Sequence, residues 1–160
     1  MDQTPPGQPF FMWMNYSDPH LPFTAQEYTP DPTQLTIPEA MPDTEEVRKD
    51  LAQHIGEVNR LDAYIGQVLL ELDERGLTEN TIILFMGDNG ADLLRGKGTL
   101  YDLGIHVPLV VAGPGVVKGA ISDAQISGTD LAPTILEMAS TEIPDAMTGQ
   151  SFAASLRGEA

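Results

Sequence analysis

Apolar residues recur at steps of three and four through the middle of the chain, and this spacing constrains the fold more than any other feature. The stripe consists of Val47, Leu51, Ile55, Val58, Leu61, Ile65, Val68, Leu69 and Leu72. Such steps place all of its members on one face of an α-helix. Asp43 or Thr44 can cap its first turn, and Arg75-Gly76 is a typical helix stop. We therefore predict a helix over residues 44–75.

Three short apolar runs, at residues 10–16, 81–86 and 107–112, have the length of strands. They do not alternate apolar with polar residues, which is typical of strands covered on both faces of a parallel sheet. Residues 130–140 predict a second helix, with Pro133 compatible with its first turn. The order of elements predicts an α/β fold, with a mostly parallel sheet and flanking helices.

The remaining segments are rich in proline. Residues 1–9 are polar and Pro/Gly-rich, so we predict a flexible N-terminal segment there and one domain over 10–160. Five further prolines between residues 21 and 42 exclude regular structure in that segment. Loops of this length are often functional, and we expect this one to line the mouth of a site.

Composition excludes several classes of function. The chain has 8 Lys+Arg against 24 Asp+Glu, a formal charge of −16, which argues against nucleic-acid or anionic-membrane partners. With no Cys, it has no disulfide, thiolate zinc site or cysteine nucleophile. No apolar run approaches the roughly 20 residues of a membrane span, and the first residues do not resemble a signal peptide. We expect a soluble, untargeted chain, and its compartment stays open.

Asp88-Asn89-Gly90 directly follows Gly87 at the end of the second strand-length run. It offers a carboxylate and an amide carbonyl, hard oxygen donors that suit Ca²⁺ or Mg²⁺. The same residues are typical of a two-residue hairpin turn, and their spacing alone does not decide between the two interpretations. No alternating strand follows Gly90 directly, which leaves such a hairpin without a second arm.

Lys97 lies between two glycines, where its ammonium and the backbone could approach an oxyanion. The phosphate-binding loop G-x-x-x-x-G-K-S/T is excluded, because Gly90 and Gly96 enclose five residues and Gly98 follows the lysine. His20 follows the first predicted strand. Ligands of open α/β sheets bind at the carboxyl ends of strands, so His20 and Asp88 could converge there. A solvated lysine and an exposed histidine without a function remain the alternatives.

Taken together and in order, these segments resemble the sulfatase family. They read PFFMWMNYSDPHLPF, RLDAYIGQVLLELDERGL, ENTIILFMGDNG, GKGTLYDLGIHVPLVVAGPG, SGTDLAPTILEMA and a GQSF…LRG ending. The resemblance runs over residues 9–158, nearly the whole chain. It implies an alkaline-phosphatase-like α/β fold that hydrolyses sulfate esters, with a formylglycine nucleophile and a divalent cation, usually Ca²⁺.

The resemblance also implies roles for four residues. Asp88 and Asn89 match the second pair of metal ligands in the family. Lys97 matches the lysine that contacts the sulfate, and His20 matches the histidine beside the leaving-group oxygen. These residue types suit the reaction, because a cation and an ammonium group can hold the non-bridging oxygens while the departing oxygen needs a proton donor.

Two parts of the family pattern are absent from this sequence. One is the first Asp-Asp metal pair, and the other is the Cys- or Ser-x-Pro-x-Arg motif whose first residue becomes formylglycine. Ser17-Asp18-Pro19 continues with His20-Leu21 where the motif requires Arg. The chain thus resembles the later part of a sulfatase catalytic domain, so we expect it to be inactive alone and to bind Ca²⁺ weakly.

Two other functions stay open. One is a non-catalytic, oligomeric binding or interaction protein on a sulfatase scaffold, because open strand edges invite pairing with other chains. The other is an alkaline-phosphatase-superfamily hydrolase of phosphate or phosphonate esters. The expected partners are a sulfate-ester small molecule or glycan, and either a missing N-terminal segment or further copies of this chain.

Overall fold

The computed structural model describes residue 5 and residues 7–159, so most of the predicted flexible segment 1–9 lies outside the described residues. The elements in chain order are α1 (Glu45–Glu74), β1 (Ile83–Met86), α2 (Asp102–Ile105), β2 (Leu109–Ala112), α3 (Leu131–Met138) and α4 (Ala153–Leu156). The chain divides into two compact units, Met1–Ile65 and Gly66–Ala160. Among the described residues, no helix is both long and apolar enough to cross a membrane.

Helix α1 confirms the helix predicted from the apolar stripe. The Thr44 hydroxyl accepts a hydrogen bond of 3.3 Å from the Val47 backbone N–H, which satisfies one free donor of the first turn. In the first unit, the proline-rich segment has two short 3-10 turns, Gln26–Tyr28 and Pro32–Gln34. The buried apolar side chains of the first unit come from the proline-rich segment and from helix α1. They are Ala25, Met41, Leu51, Ala52 and Leu61.

The strand predicted over residues 10–16 does not form. This segment has no regular structure, and Phe11 and Trp13 are 71% and 78% exposed. A strand exists only where its backbone pairs with a neighbour. Within the described part of the chain, the one sheet consists of β1 and β2. The apolar composition of residues 10–16 is typical of a strand, but the segment does not form one in this structure.

The two strands of the second unit pair in antiparallel fashion, with Ile83 opposite Ala112 and Met86 opposite Leu109. The prediction of parallel pairing is wrong for these strands. A parallel return needs a crossover, usually a helix, and the four-residue helix α2 is too short to supply one. Moreover, β2 alternates in exposure although its sequence is wholly apolar, and Val110 is 59% exposed.

Helix α3 confirms the second predicted helix. The fully buried Thr134 hydroxyl donates to the Asp130 carbonyl at 2.6 Å and accepts from the Phe152 backbone N–H at 3.0 Å. The Asp130 carboxylate accepts hydrogen bonds of 2.8 Å from the backbone N–H groups of Ser127 and Gln150. These contacts fasten the segment before α4 to the start of α3.

Candidate functional site

His20 lies in a closed turn of the first unit. Its backbone N–H donates to the Ser17 carbonyl at 2.8 Å, and its ring Nδ1 lies 2.6 Å from the Leu21 carbonyl oxygen. A carbonyl oxygen can only accept, so this contact assigns the hydrogen to Nδ1. The residue is exposed. The turn thus holds the imidazole in one orientation at the surface of the first unit.

Asp18, two residues before His20, is bound to helix α1 through Arg60. The Nε and Nη2 atoms of Arg60 donate to the two carboxylate oxygens of Asp18 at 2.7 and 2.8 Å. This bidentate pairing matches the planar guanidinium to the carboxylate. The hydrogen bond from Arg60 lowers the pKa of Asp18 below its ordinary value, and Asp18 raises the pKa of Arg60.

Glu57 completes this group of charges from a fully buried position. Its Oε2 accepts from Arg60 Nη2 at 2.5 Å, and its Oε1 accepts from the backbone N–H groups of Thr24 and of Ala25, the latter at 2.7 Å. Arg60 Nη1 also donates to the Thr24 hydroxyl at 3.1 Å. We call Asp18, Thr24, Glu57 and Arg60 the Arg60 cluster. The sequence patterns did not predict this cluster. The available signal was the spacing of Glu57 and Arg60, three residues apart on one helix, which allows an ion pair.

Asp88 and Asn89 lie in the second unit, just beyond the end of β1. Both side chains are exposed. Their backbone is held on each side, because Gly87 N–H donates to the Pro108 carbonyl at 3.0 Å and Gly90 N–H donates to the Gly104 carbonyl at 3.2 Å. A Cβ added at Gly90 would lie 2.1 Å from the Leu103 carbonyl oxygen, so only glycine fits there. We call residues 87–104 the glycine loop.

Lys97 belongs to the same glycine loop. Its backbone N–H donates to the Ala91 carbonyl at 2.8 Å. A Cβ added at the buried Gly96 would lie 2.0 Å from that same carbonyl oxygen. The Lys97 side chain is 37% exposed, and its ammonium group lies 3.8 Å from the Asp92 carboxylate, a long and partly solvated ion pair.

The structure therefore places three of the four predicted site residues, Asp88, Asn89 and Lys97, on one hydrogen-bonded loop of the second unit. His20 belongs to the first unit. The hairpin alternative for Asp88-Asn89-Gly90 is wrong, because β2 begins only at Leu109 and no two-residue turn joins it to β1.

The donor set fits a divalent cation in part. The Asp88 carboxylate and the Asn89 carbonyl are hard oxygen donors, while Ca²⁺ takes roughly six to eight of them. Over residue 5 and residues 7–159, no group of three or more His, Cys, Asp or Glu side chains could hold a metal ion. Asp88 and Asn89 thus offer two oxygen donors, and a metal site at this position would need further oxygens.

Comparison with known proteins adds independent findings. A family model described as Sulfatase matches residues 1–141. An ulvan-active sulfatase from Formosa agariphila is 34% identical over 152 residues, covering 91% of this chain and 26% of that protein. The N-sulphoglucosamine sulphohydrolase of Homo sapiens is 31% identical over 192 residues, covering 98% of this chain and 38% of that protein.

Comparison with solved structures tests the predicted fold class. A phosphonate monoester hydrolase from Silicibacter pomeroyi is 34% identical with a TM-score of 0.68, covering 75% of this chain and 25% of that one. The likeness confirms the predicted alkaline-phosphatase-like α/β class as a partial fold. The chain spans about a quarter to two fifths of the length of the relatives named here.

Proposed function

We propose, since the chain belongs to the sulfatase family, that it forms the later part of a metal-dependent sulfuric ester hydrolase. In this proposal the nucleophile is carried by a segment that is not encoded in these 160 residues, because the sequence has no Cys and no Ser-x-Pro-x-Arg. The chain by itself is then inactive, and it becomes part of an active site only together with that segment.

The glycine loop is the single observation that carries the proposal. It holds Asp88, Asn89 and Lys97 in one backbone-bonded unit, with their side chains exposed. Two oxygen donors and one ammonium group suit a doubly charged cation and a sulfate group bound side by side. At Gly90, Gly96 and Gly104 of this loop an added Cβ would lie within 2.3 Å of a backbone oxygen, so the backbone beside these side chains is closely packed.

Each residue has a specific role in this proposal. Asp88 and Asn89 would hold the divalent cation, for which we propose Ca²⁺, and the bound cation would neutralise charge on the sulfate oxygens. Lys97 would donate hydrogen bonds to a non-bridging oxygen, where its charge stabilises the transition state. His20 would lie beside the leaving-group oxygen, and its imidazolium form would supply a proton from Nε2, because Nδ1–H donates to the Leu21 carbonyl.

A sulfated carbohydrate is the substrate class that we propose. It is supported by the names of the two relatives, an ulvan-active sulfatase and an N-sulphoglucosamine sulphohydrolase. A phosphonate ester is the second candidate, because one of the similar solved structures is a phosphonate monoester hydrolase. Both esters present non-bridging oxygens to the same set of donors, so only the measured preference separates them.

Turnover measurements test the proposal. The protein as isolated from its source and the purified 160-residue chain would be assayed with p-nitrophenyl sulfate and p-nitrophenyl phenylphosphonate, each with added Ca²⁺. We expect sulfate turnover by any preparation that contains the nucleophile segment, and none by the chain alone. Turnover of either ester by the verified chain alone would contradict the missing-nucleophile account.

Paired variants in the active preparation test the residues. We expect Lys97→Ala to lower kcat by about 10²- to 10³-fold, as for loss of one transition-state donor. Lys118→Ala, at another exposed lysine of the second unit, should leave kcat unchanged. Asp88→Asn should weaken Ca²⁺ binding relative to Asp123→Asn, because Ca²⁺ affinity depends on the charge of the oxygen ligands. Equal effects of the two members of a pair would contradict the assigned role.

A further inference from the structure

The Arg60 cluster has no part in the proposed chemistry, yet it contains the most extensive charged hydrogen bonding of the first unit. Arg60 uses Nε, Nη1 and Nη2 to reach two carboxylates and one hydroxyl. The side chains of Asp18, Arg60 and Glu57 are 9%, 19% and 1% exposed. Charges withdrawn this far from water require partners and are costly to leave unpaired. Any role of the Arg60 cluster beyond stability would therefore concern the chain segment to which it is hydrogen-bonded.

That segment is residues 18–25, which we call the His20 segment because it contains His20. On one side the cluster binds the Asp18 side chain, and the turn from Ser17 to His20 is closed by a backbone hydrogen bond of 2.8 Å. On the other side Glu57 accepts from the backbone N–H groups of Thr24 and Ala25. His20 thus lies between two anchors, both of which lead back to neighbouring residues of one turn of helix α1.

We propose that Arg60 and Glu57 are positioning residues that set the orientation of the His20 imidazole. They act through Asp18 and through the backbone at Thr24, and they touch neither the substrate nor the reacting atoms. The inference rests on the proposed function for the chemical role of His20. The positioning itself does not depend on that role, and it is measured separately.

The guanidinium group is suited to this task in a way that an ammonium group is not. Its planar fork makes two parallel hydrogen bonds to Asp18 and keeps a third for Glu57. A lysine carries the same charge but lacks the fixed geometry, so it cannot hold both carboxylates in register. Arg60→Lys therefore preserves the positive charge but loses the fixed geometry of the hydrogen bonds to Asp18 and Glu57.

Nuclear magnetic resonance of the histidine rings in the full chain tests the proposal. At about pH 8, above the ordinary histidine pKa near 6.5, the ring nitrogen signals distinguish the two neutral tautomers. In the wild type we expect the Nδ1–H form of His20, which donates to the Leu21 carbonyl. In Arg60→Lys we expect loss of this signature and a signal averaged between tautomers.

Arg48→Lys is the matched control. Arg48 lies on the same helix and makes a bidentate pair with Asp43, at 2.5 and 2.8 Å, away from the His20 segment in sequence. It should leave the His20 signals unchanged. Thr24→Val removes only the Nη1 contact and should shift the same signals less, so it carries the test if Arg60→Lys does not fold.

The outcomes separate the two proposals. His20 signals identical to wild type in folded Arg60→Lys and in Thr24→Val would overturn the positioning role. A changed ring signature, together with about a tenfold loss of kcat at constant KM in the active preparation, would support both proposals. A changed signature with unchanged kcat would support the positioning and contradict the role of His20 in the proposed function.

Discussion

The His20 segment and the glycine loop hold candidate site residues by different means. The first is bound by side chains, through a guanidinium group between the carboxylates of Asp18 and Glu57. The second is bound by backbone hydrogen bonds, at glycines where a Cβ would overlap a carbonyl oxygen. The first arrangement buries its charges, whereas the second leaves Asp88, Asn89 and Lys97 exposed.

This difference indicates which substitutions each region tolerates. A loop bound by its backbone is insensitive to the chemistry of its exposed side chains but sensitive to added volume at its glycines. A segment bound by buried charges is sensitive to loss of one partner, because the other is left without compensation. Charged groups needed for binding can therefore be exchanged in the glycine loop with little loss of stability.

The largest expected effect is that of added volume in the glycine loop. Gly96→Ala would force a Cβ to within 2.0 Å of the Ala91 carbonyl oxygen, and we expect a loss of about 3 kcal/mol or more in the free energy of unfolding. Gly66→Ala is the control, since no atom lies within 4 Å of its added Cβ. In helix α1 it should gain about 0.5–1 kcal/mol. Equal urea midpoints of the two variants would contradict the account of the loop.

The next effect concerns the buried carboxylate of the first unit. Glu57→Gln keeps an oxygen acceptor but loses the charged hydrogen bond from Arg60, and we expect a loss of about 1–3 kcal/mol. The control, Glu71→Gln, lies on the same helix, removes an exposed pair with Arg75 just beyond the helix end, and should cost at most about 0.5 kcal/mol. Chemical denaturation measures both, and a ranking of the two in the opposite order would show that the Arg60 cluster is not stabilising.

Acid should weaken the first unit through Asp18. The pKa of Asp18 in the folded protein lies below its ordinary value of 3.8, because Arg60 donates hydrogen bonds to the charged form. The stabilisation is therefore complete above pH 3.8 and is lost as pH falls through the lower folded value. The unfolding free energies of the wild type and of Asp18→Asn, measured from pH 6 downward, should begin to converge as the pH falls below about 4. A constant difference over this range would contradict the assignment.

The smallest expected effect is at the Lys97 ion pair. The two charged groups are 3.8 Å apart and partly exposed, so Asp92→Asn should change stability by less than about 0.5 kcal/mol. A thermal unfolding curve that superimposes on the wild type is the expected result. A loss as large as that of Glu57→Gln would remove the distinction between the two regions.

Local patterns allowed part of this structure to be predicted. Helix α1 follows from a stripe that is periodic over its length, and α3 follows from a shorter apolar run with Pro133 near its start. The sequence around Asp88 and Lys97 was sufficient to name both as candidate site residues. In each case the signal lies within a few residues of the feature it predicts.

Other parts depend on contacts between distant residues. Arg60 and Asp18 are 42 residues apart, and neither local sequence shows that the two pair. The direction of pairing between β1 and β2 depends on the path of the connecting chain, which apolar composition does not reveal. Residues 10–16 show the same limit. Their apolar pattern predicts a strand but does not reveal whether a second strand pairs with it.

The most direct test of the central claim is the intact mass of the protein isolated from its source, under native and then denaturing conditions. We predict that a Cys- or Ser-x-Pro-x-Arg segment is found with these residues, in a longer chain or in a co-purifying one. Asp88, Asn89, Lys97 and His20 would then be active-site candidates in a complete sulfatase. Recovery of only the 17.3 kDa chain or its oligomer would contradict the claim and favour a non-catalytic protein on this scaffold.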